Sequence, residues 1–220
     1  MTSGRPLFIT LEGGEGVGKT THAELLSKWM KERGIPNCLT KEPGDTRIAE
    51  CAKIRKMLLD PESSLVPSSE LLLFLADRAQ HVEKLIKPEM EAGRHVICDR
   101  YTDSTRVYQV AARGFGRTRI DPLLDFATGG LMPDMTFILD APVSVGLERA
   151  KAKSIYKDGD RMEREGETYH EKVRQGFLRL VSSLSEQGRM ILVDASPPRT
   201  IEEIQAEISR KVSGRLWTGE

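Results

Sequence analysis

The sequence predicts an α/β fold of three layers, a five-stranded parallel sheet flanked by helices. Two patterns carry the prediction. Short apolar runs recur along the chain with longer amphipathic stretches between them, and a glycine-rich turn joins the first run to the first such stretch. Strands that alternate with helices build parallel sheets, because each return to the sheet needs a crossover. The chain has 220 residues, at the upper end of the roughly 100–200 residues usual for a domain. One domain over residues 1–220 is therefore expected.

Leu7-Phe8-Ile9-Thr10-Leu11 reads as a buried strand. After the glycine-rich turn, Leu25, Leu26, Trp29 and Met30 recur at helical spacing, and Gly34 stops that helix. Cys38-Leu39-Thr40 forms a weaker second strand, and a short helix is expected from Ile48 to Leu59. Ser68 or Ser69 can cap a long helix with Leu72, Ala76, Ala79, Leu85 and Ile86 on its apolar side, ended by Pro88 and Gly93. His95 to Cys98, Thr136 to Leu139 and Met190 to Val193 supply three more strands, before a last helix near Ile201 to Val212. The polar segment from Lys151 to Gly166 reads as a mobile insertion, a lid at about 150–166.

Lys and Arg total 33, and so do Asp and Glu, for a formal net charge of zero. A nucleic-acid binder carries a basic excess or stripe, so no nucleic-acid partner is expected. No apolar run follows Met1 as a secretory signal would require. The densest apolar run, Leu71 to Ala76, falls far short of the ~20 residues that span a bilayer. Cys38, Cys51 and Cys98 form no C-x-x-C pair and read as reduced thiols of a cytoplasmic protein. His22, His81, His95 and His170 lack metal-ligand spacing and read as surface or packing residues.

Gly13-Gly14-Glu15-Gly16-Val17-Gly18-Lys19-Thr20 fits G-x-x-x-x-G-K-[ST] between a strand and a helix, and Thr21 follows it. Glycines let backbone N–H groups converge on phosphate, and the helix N-terminus adds partial positive charge. Lys19 can reach the β- and γ-phosphates of ATP, and the Thr20 hydroxyl can ligate Mg²⁺. This is the P-loop NTPase signature, which kinases, GTPase switches and motor ATPases share. A GTPase also needs Asn-Lys-x-Asp and Asp-x-x-Gly, and neither occurs.

Asp99-Arg100 follows a strand, at the sheet edge where open parallel sheets bind ligands. Asp99 can orient Mg²⁺ or its waters, and Arg100 can grip phosphate oxygens. A structural Asp-Arg pair is the alternative. Phe74 and Arg78 lie four apart on one helix face, as a ring to stack on a base and a guanidinium to bond it. Core packing for Phe74 and Tyr108, and a surface ion pair for Arg78, remain the plain alternatives.

Several segments together resemble bacterial thymidylate kinases, and the resemblance spans nearly the whole chain. They are Phe8 to Gly13, Thr40-Lys41-Glu42-Pro43-Gly44, Leu73 to Arg78, Asp99 to Thr105 with Tyr108-Gln109, and Met132 to Thr136. The resemblance implies transfer of the γ-phosphoryl group of ATP to dTMP in a homodimer. It places Glu15 near the sugar 3′-hydroxyl and Arg100, and Phe74 on the thymine ring. Arg78, Thr105 and Gln109 fall where the family reads the base edge, with Ser104 in the same segment. Tyr108 falls where a ribose 2′-hydroxyl is blocked, Arg55 and Arg100 on the acceptor phosphate, and Glu42 close to the reaction centre. A kinase for another nucleoside monophosphate is the near alternative, and a nucleotide-dependent binding switch the distant one.

Two departures stand out. Asp45 replaces a family glycine and Arg47 a common proline, which raises the question of a positive φ at Asp45. The lid lacks the family's arginine-rich run, and the loop's own variable positions carry no guanidinium. The catalytic lid cation is therefore expected to be Lys153 or Arg161, with Arg149 as a further candidate.

Overall fold

The computed structural model describes residues 5–153, 160–183 and 188–218. In chain order these are β1 (Phe8–Gly13), α1 (Lys19–Lys31), β2 (Asn37–Lys41), α2 (Ala49–Leu59) and α3 (Pro67–His81). A π-helical turn (Val82–Ile86) leads from α3 into α4 (Lys87–Glu91), then β3 (His95–Asp99) and α5 (Thr102–Thr105). A second π-helical stretch (Arg106–Ala112) continues α5, followed by α6 (Arg117–Thr128), β4 (Met135–Asp140) and α7 (Val143–Lys153). The chain ends in α8 (Glu167–Val181), β5 (Met190–Asp194) and α9 (Ile201–Thr218).

The five strands form one parallel sheet in the order β2-β3-β1-β4-β5. Alternate residues of each central strand feed different cores, as a two-residue period requires. Ile9, Leu11, Ile97, Phe137 and Leu139 pack with Leu26 and Met30 of α1 and Ile204 and Ile208 of α9. Phe8, Val96 and Cys98 face the other way, with Val82, Ile86 and Tyr101, and Ile138 joins Val107, Val173 and Phe177. Helices therefore cover both faces of the sheet, which completes the three layers.

The strands and the first and last helices lie where the apolar pattern puts them. The long central helix differs in three ways. Pro67 opens it behind Val66 with no side-chain cap, so neither Ser68 nor Ser69 caps it. Pro is suited to a first turn whose N–H groups lack partners anyway. Leu72 is 59% exposed and Ala76 also faces out, because the buried face carries Glu70, Leu71, Leu75, Asp77, Arg78 and His81. Pro88 does not end the helix. The turn before it widens, with the Lys87 N–H donating to the Val82 carbonyl, and helix continues to Glu91.

Candidate active site

A cavity of about 800 Å³ lies at the C-terminal edge of the sheet. At one end the loop from Glu15 to Thr21 lines it, while Gly13 and Gly14 lie outside its lining. Gly16 shows why the loop needs glycine. It adopts φ +64°, and a Cβ there would stand 1.8 Å from the Gly146 carbonyl oxygen of α7. Gly146 in turn leaves room for the Glu15 carbonyl, so two glycines let helix and loop touch.

Lys19 is buried at the start of α1, and its ammonium donates to the Gly14 carbonyl. Burial, then the neighbouring Arg100, lowers its pKa to about 8, against the pull of Glu15 and Asp99. The Thr20 hydroxyl donates to Oδ2 of Asp99. Oδ1 of Asp99 is buried with no partner among the described residues. An acceptor oxygen left over beside a P-loop threonine fits Mg²⁺ or one of its waters.

Arg100 is the one non-glycine residue with positive φ, +72°, among the described residues. From there its guanidinium donates to Glu15 at 2.7 Å, and to the Gly13 carbonyl and Ser104 hydroxyl at 3.1 Å. The Tyr108 hydroxyl also donates to Glu15, at 2.8 Å. Burial raises the Glu15 pKa, but Arg100, Lys19 and Tyr108 outweigh it and leave it at about 2. Glu15 therefore stays ionised and holds Arg100 and Tyr108 together.

At the other end, Phe74, Arg78, Thr105 and Gln109 line the cavity, with Tyr108 between the ends. Arg78 is no surface residue. Its side chain is 2% exposed and donates to Glu42 and the Thr105 hydroxyl at 2.8 Å, and to the Tyr101 carbonyl at 2.9 Å. Glu42 takes a second bond from His81 at 2.9 Å, and the other nitrogen of His81 meets the Thr40 hydroxyl at 2.6 Å. Arg55 reaches the cavity while donating to the Pro43 carbonyl. Gly44, at φ +83°, leaves the space that the Arg55 side chain occupies.

The question at Asp45 resolves locally. The positive φ falls on Gly44, and Asp45 is absent from the positive-φ residues. Its carboxylate accepts from the Thr40 hydroxyl and from Arg47. The two replaced residues, Asp45 and Arg47, thus form one ion pair.

The lid cations separate. Arg149 lines the cavity and donates to the Ala195 carbonyl at 3.3 Å. Arg161 does not line it. It pairs with Glu70 at 2.7 Å and donates to the Leu58 carbonyl, so its partner is neither Asp160 nor Glu163. The side chain of Lys153 and residues 154–159 lie outside the described residues.

Sequence reasoning gave no role to Glu12, Glu70 or His81. Glu12 is fully buried and accepts from the Tyr101 N–H and the Ser104 hydroxyl. Burial, then Asp103, raises its pKa to about 7. A carboxylate directly after the apolar run that ends at Leu11 was the available signal. His81 belongs to the Glu42 network rather than to plain packing. All three cysteines are free and buried. Among the described residues no group of His, Cys, Asp and Glu could by itself hold a metal, and no helix is long and apolar enough to cross a membrane.

Comparison with known proteins agrees with this geometry. The family model described as Thymidylate kinase matches residues 11–208. A thymidylate kinase of Halothermothrix orenii is 46% identical over 96% of this chain and 99% of its own. One from Carboxydothermus hydrogenoformans is 48% identical over 80% of this chain and 84% of its own. The crystal structure of thymidylate kinase from Ehrlichia chaffeensis superposes with a TM-score of 0.71 at 30% identity, covering 94% of this chain and 98% of that one. Loop, cavity and relatives converge, and the chain belongs to the thymidylate kinase family of ATP-dependent nucleoside monophosphate kinases.

Proposed function

We propose that this cavity transfers the γ-phosphoryl group of ATP to dTMP, giving ADP and dTDP. The observation that carries the reading is the continuity of the cavity. One space joins Lys19 and Thr20 to Phe74, Arg78 and Gln109, with Arg100 between. A donor phosphate chain and an acceptor nucleotide can meet there end to end.

The acceptor phosphate is the nucleophile. Its oxygen forms a bond to the γ-phosphorus as the bond to the β,γ-bridging oxygen breaks, and the electron pair leaves with ADP. A phosphate dianion needs no strong general base, so the work is positioning and charge stabilisation. Backbone N–H groups of residues 15–21, the part of the loop that lines the cavity, cradle the ATP phosphates, and Lys19 bridges the β- and γ-groups. Arg100 and Arg55 hold the acceptor phosphate, with Ser104 fixing the guanidinium of Arg100. Glu15 orients Arg100 and meets the sugar 3′-hydroxyl. Phe74 stacks on the base, Arg78, Thr105 and Gln109 read its edge, and Glu42 anchors Arg78. Tyr108 occupies the space of a ribose 2′-hydroxyl. Thr20 and Asp99 would hold Mg²⁺, which neutralises charge on the phosphates when bound. Of the lid cations, Arg149 is assigned to the donor phosphates, since it faces the cavity while Arg161 is neutralised by Glu70.

We also assign a homodimer. Met57 of α2, Leu72 of α3 and Phe126 of α6 are 51%, 59% and 88% exposed, on helices that pack α2 to α3 and α3 to α6. Apolar surface of that kind supports a self-association face. Buried free thiols and an intracellular nucleotide substrate support a cytoplasmic location. Measuring kcat/KM for dTMP, dUMP, UMP and dGMP tests the substrate assignment. dTMP should lead the series, and a higher value for UMP or dGMP would contradict it.

A further inference from the structure

Glu70 is 1% exposed and lies on α3, in line with Phe74 and Arg78 at four-residue steps. It is absent from the cavity lining and stands behind it. Oε1 of Glu70 accepts from Nε2 of Gln109 at 2.8 Å. Arg113 donates to both oxygens, at 3.3 and 3.1 Å, and Arg161 pairs with Oε2 at 2.7 Å. Burial raises the pKa of Glu70, but bonds from Gln109, Arg113 and Arg161 outweigh it and keep the group ionised.

An ionised carboxylate only accepts hydrogen bonds. The Gln109 amide must therefore turn its NH₂ toward Glu70 and its carbonyl away. The carbonyl oxygen is buried with no partner among the described residues, and Gln109 lines the cavity beside Arg78 and Thr105. A buried acceptor without a donor is costly, so the ligand should bring one. Thymine and uracil carry a proton at N3. Cytosine carries a bare lone pair there, which would face another acceptor.

We propose that Glu70 is a specificity-determining positioning residue, locking the Gln109 amide with its carbonyl toward the base and so selecting pyrimidines protonated at N3 over cytosine. The inference rests on the reading above that Gln109 meets the base edge. Arg113 and Arg161 fix Glu70, which ties a residue of the 150–166 segment to base readout. In Glu70→Gln the amide at position 70 can offer either its oxygen or its NH₂. Gln109 is then free to flip and donate to cytosine N3.

The experiment is kcat/KM for dTMP and dCMP at saturating ATP, in the parent, Glu70→Gln, Gln109→Leu and the double variant. Glu70→Gln should lower the dTMP/dCMP ratio roughly tenfold or more, with KM for ATP unchanged. In the Gln109→Leu background it should leave the ratio unaltered, because Glu70 acts through Gln109. An unchanged ratio in Glu70→Gln, or an equal drop in both backgrounds, overturns the inference. If Glu70→Gln does not fold, Glu70→Asp carries the test. It keeps the charge for the arginines but withdraws the oxygen from Gln109, and the same loss of selectivity is expected. A parent enzyme inactive on dTMP would instead remove the functional reading beneath.

Discussion

Arg100 grips Glu15 at 2.7 Å from a backbone held at φ +72°. A left-handed conformation costs a residue with a Cβ on the order of 1–2 kcal/mol. The fold accepts that cost at the residue whose side chain lies between the two ends of the cavity. Arg100→Ala and Arg100→Gly should both lower kcat by about a hundredfold or more. They should differ in stability, with the glycine variant about 1 kcal/mol more stable in urea melts, since glycine adopts positive φ freely. Equal melts would mean that position 100 stores no backbone strain.

Lys19→Ala should lower kcat by at least about a hundredfold while dTMP binding stays close to that of the parent. The lowered pKa adds a pH signature. The ammonium of the free enzyme discharges through about pH 8, so kcat/KM for ATP should fall above that pH. The stability effect has the opposite sense. Between about 8 and the ordinary 10.5 the unfolded chain binds the extra proton, so stability from this group rises with pH across that window. Lys19→Met should therefore be more stable than the parent near pH 7, by a margin that shrinks toward pH 10. A margin flat with pH would contradict the burial of a charged lysine.

Glu12 behaves in mirror image. Its folded pKa of about 7 lies above the ordinary 4.5, so the folded protein holds the extra proton between those values. Stability from Glu12 is lost as pH rises through that range. Glu12→Gln does not titrate, so its stability relative to the parent should improve from about pH 4.5 to about pH 8. Paired urea melts at the two pH values decide it, and a constant difference would mean Glu12 is ionised throughout.

Arg78 and Glu42 form a pair with side chains 2% and 3% exposed. Arg78→Ala strands a buried carboxylate and should cost about 3–5 kcal/mol. It should also raise KM for dTMP far more than KM for ATP. Adding Glu42→Gln should recover part of the stability but not the affinity for dTMP. A double variant no more stable than Arg78→Ala would place the cost in lost packing instead.

The legible parts of the fold are those whose burial is apolar. The inner strands β1, β3 and β4 are buried almost throughout and read as near-continuous apolar runs, while β2 and β5 are partly exposed and show as shorter ones. The P-loop is visible because its residues are contiguous. Helix α3 misleads because its buried face holds Glu70, Asp77, Arg78 and His81, while Leu72 faces out. Residues 102–112 escape a helical reading for the same reason, since Thr102, Asp103, Ser104, Thr105 and Gln109 are buried. Glu70 and His81 gain their roles from Gln109 and Glu42, each 39 positions away in sequence. No local pattern records such a pairing.

The central claim is that one cavity couples ATP cleavage to an acceptor nucleotide. The most direct test follows ADP release from Mg-ATP with and without dTMP. The account predicts one dTDP for each ADP, and release near background when dTMP is left out, because the acceptor phosphate is the nucleophile. ADP formed at the same rate without dTMP would contradict it and make the protein a nucleotide hydrolase or switch.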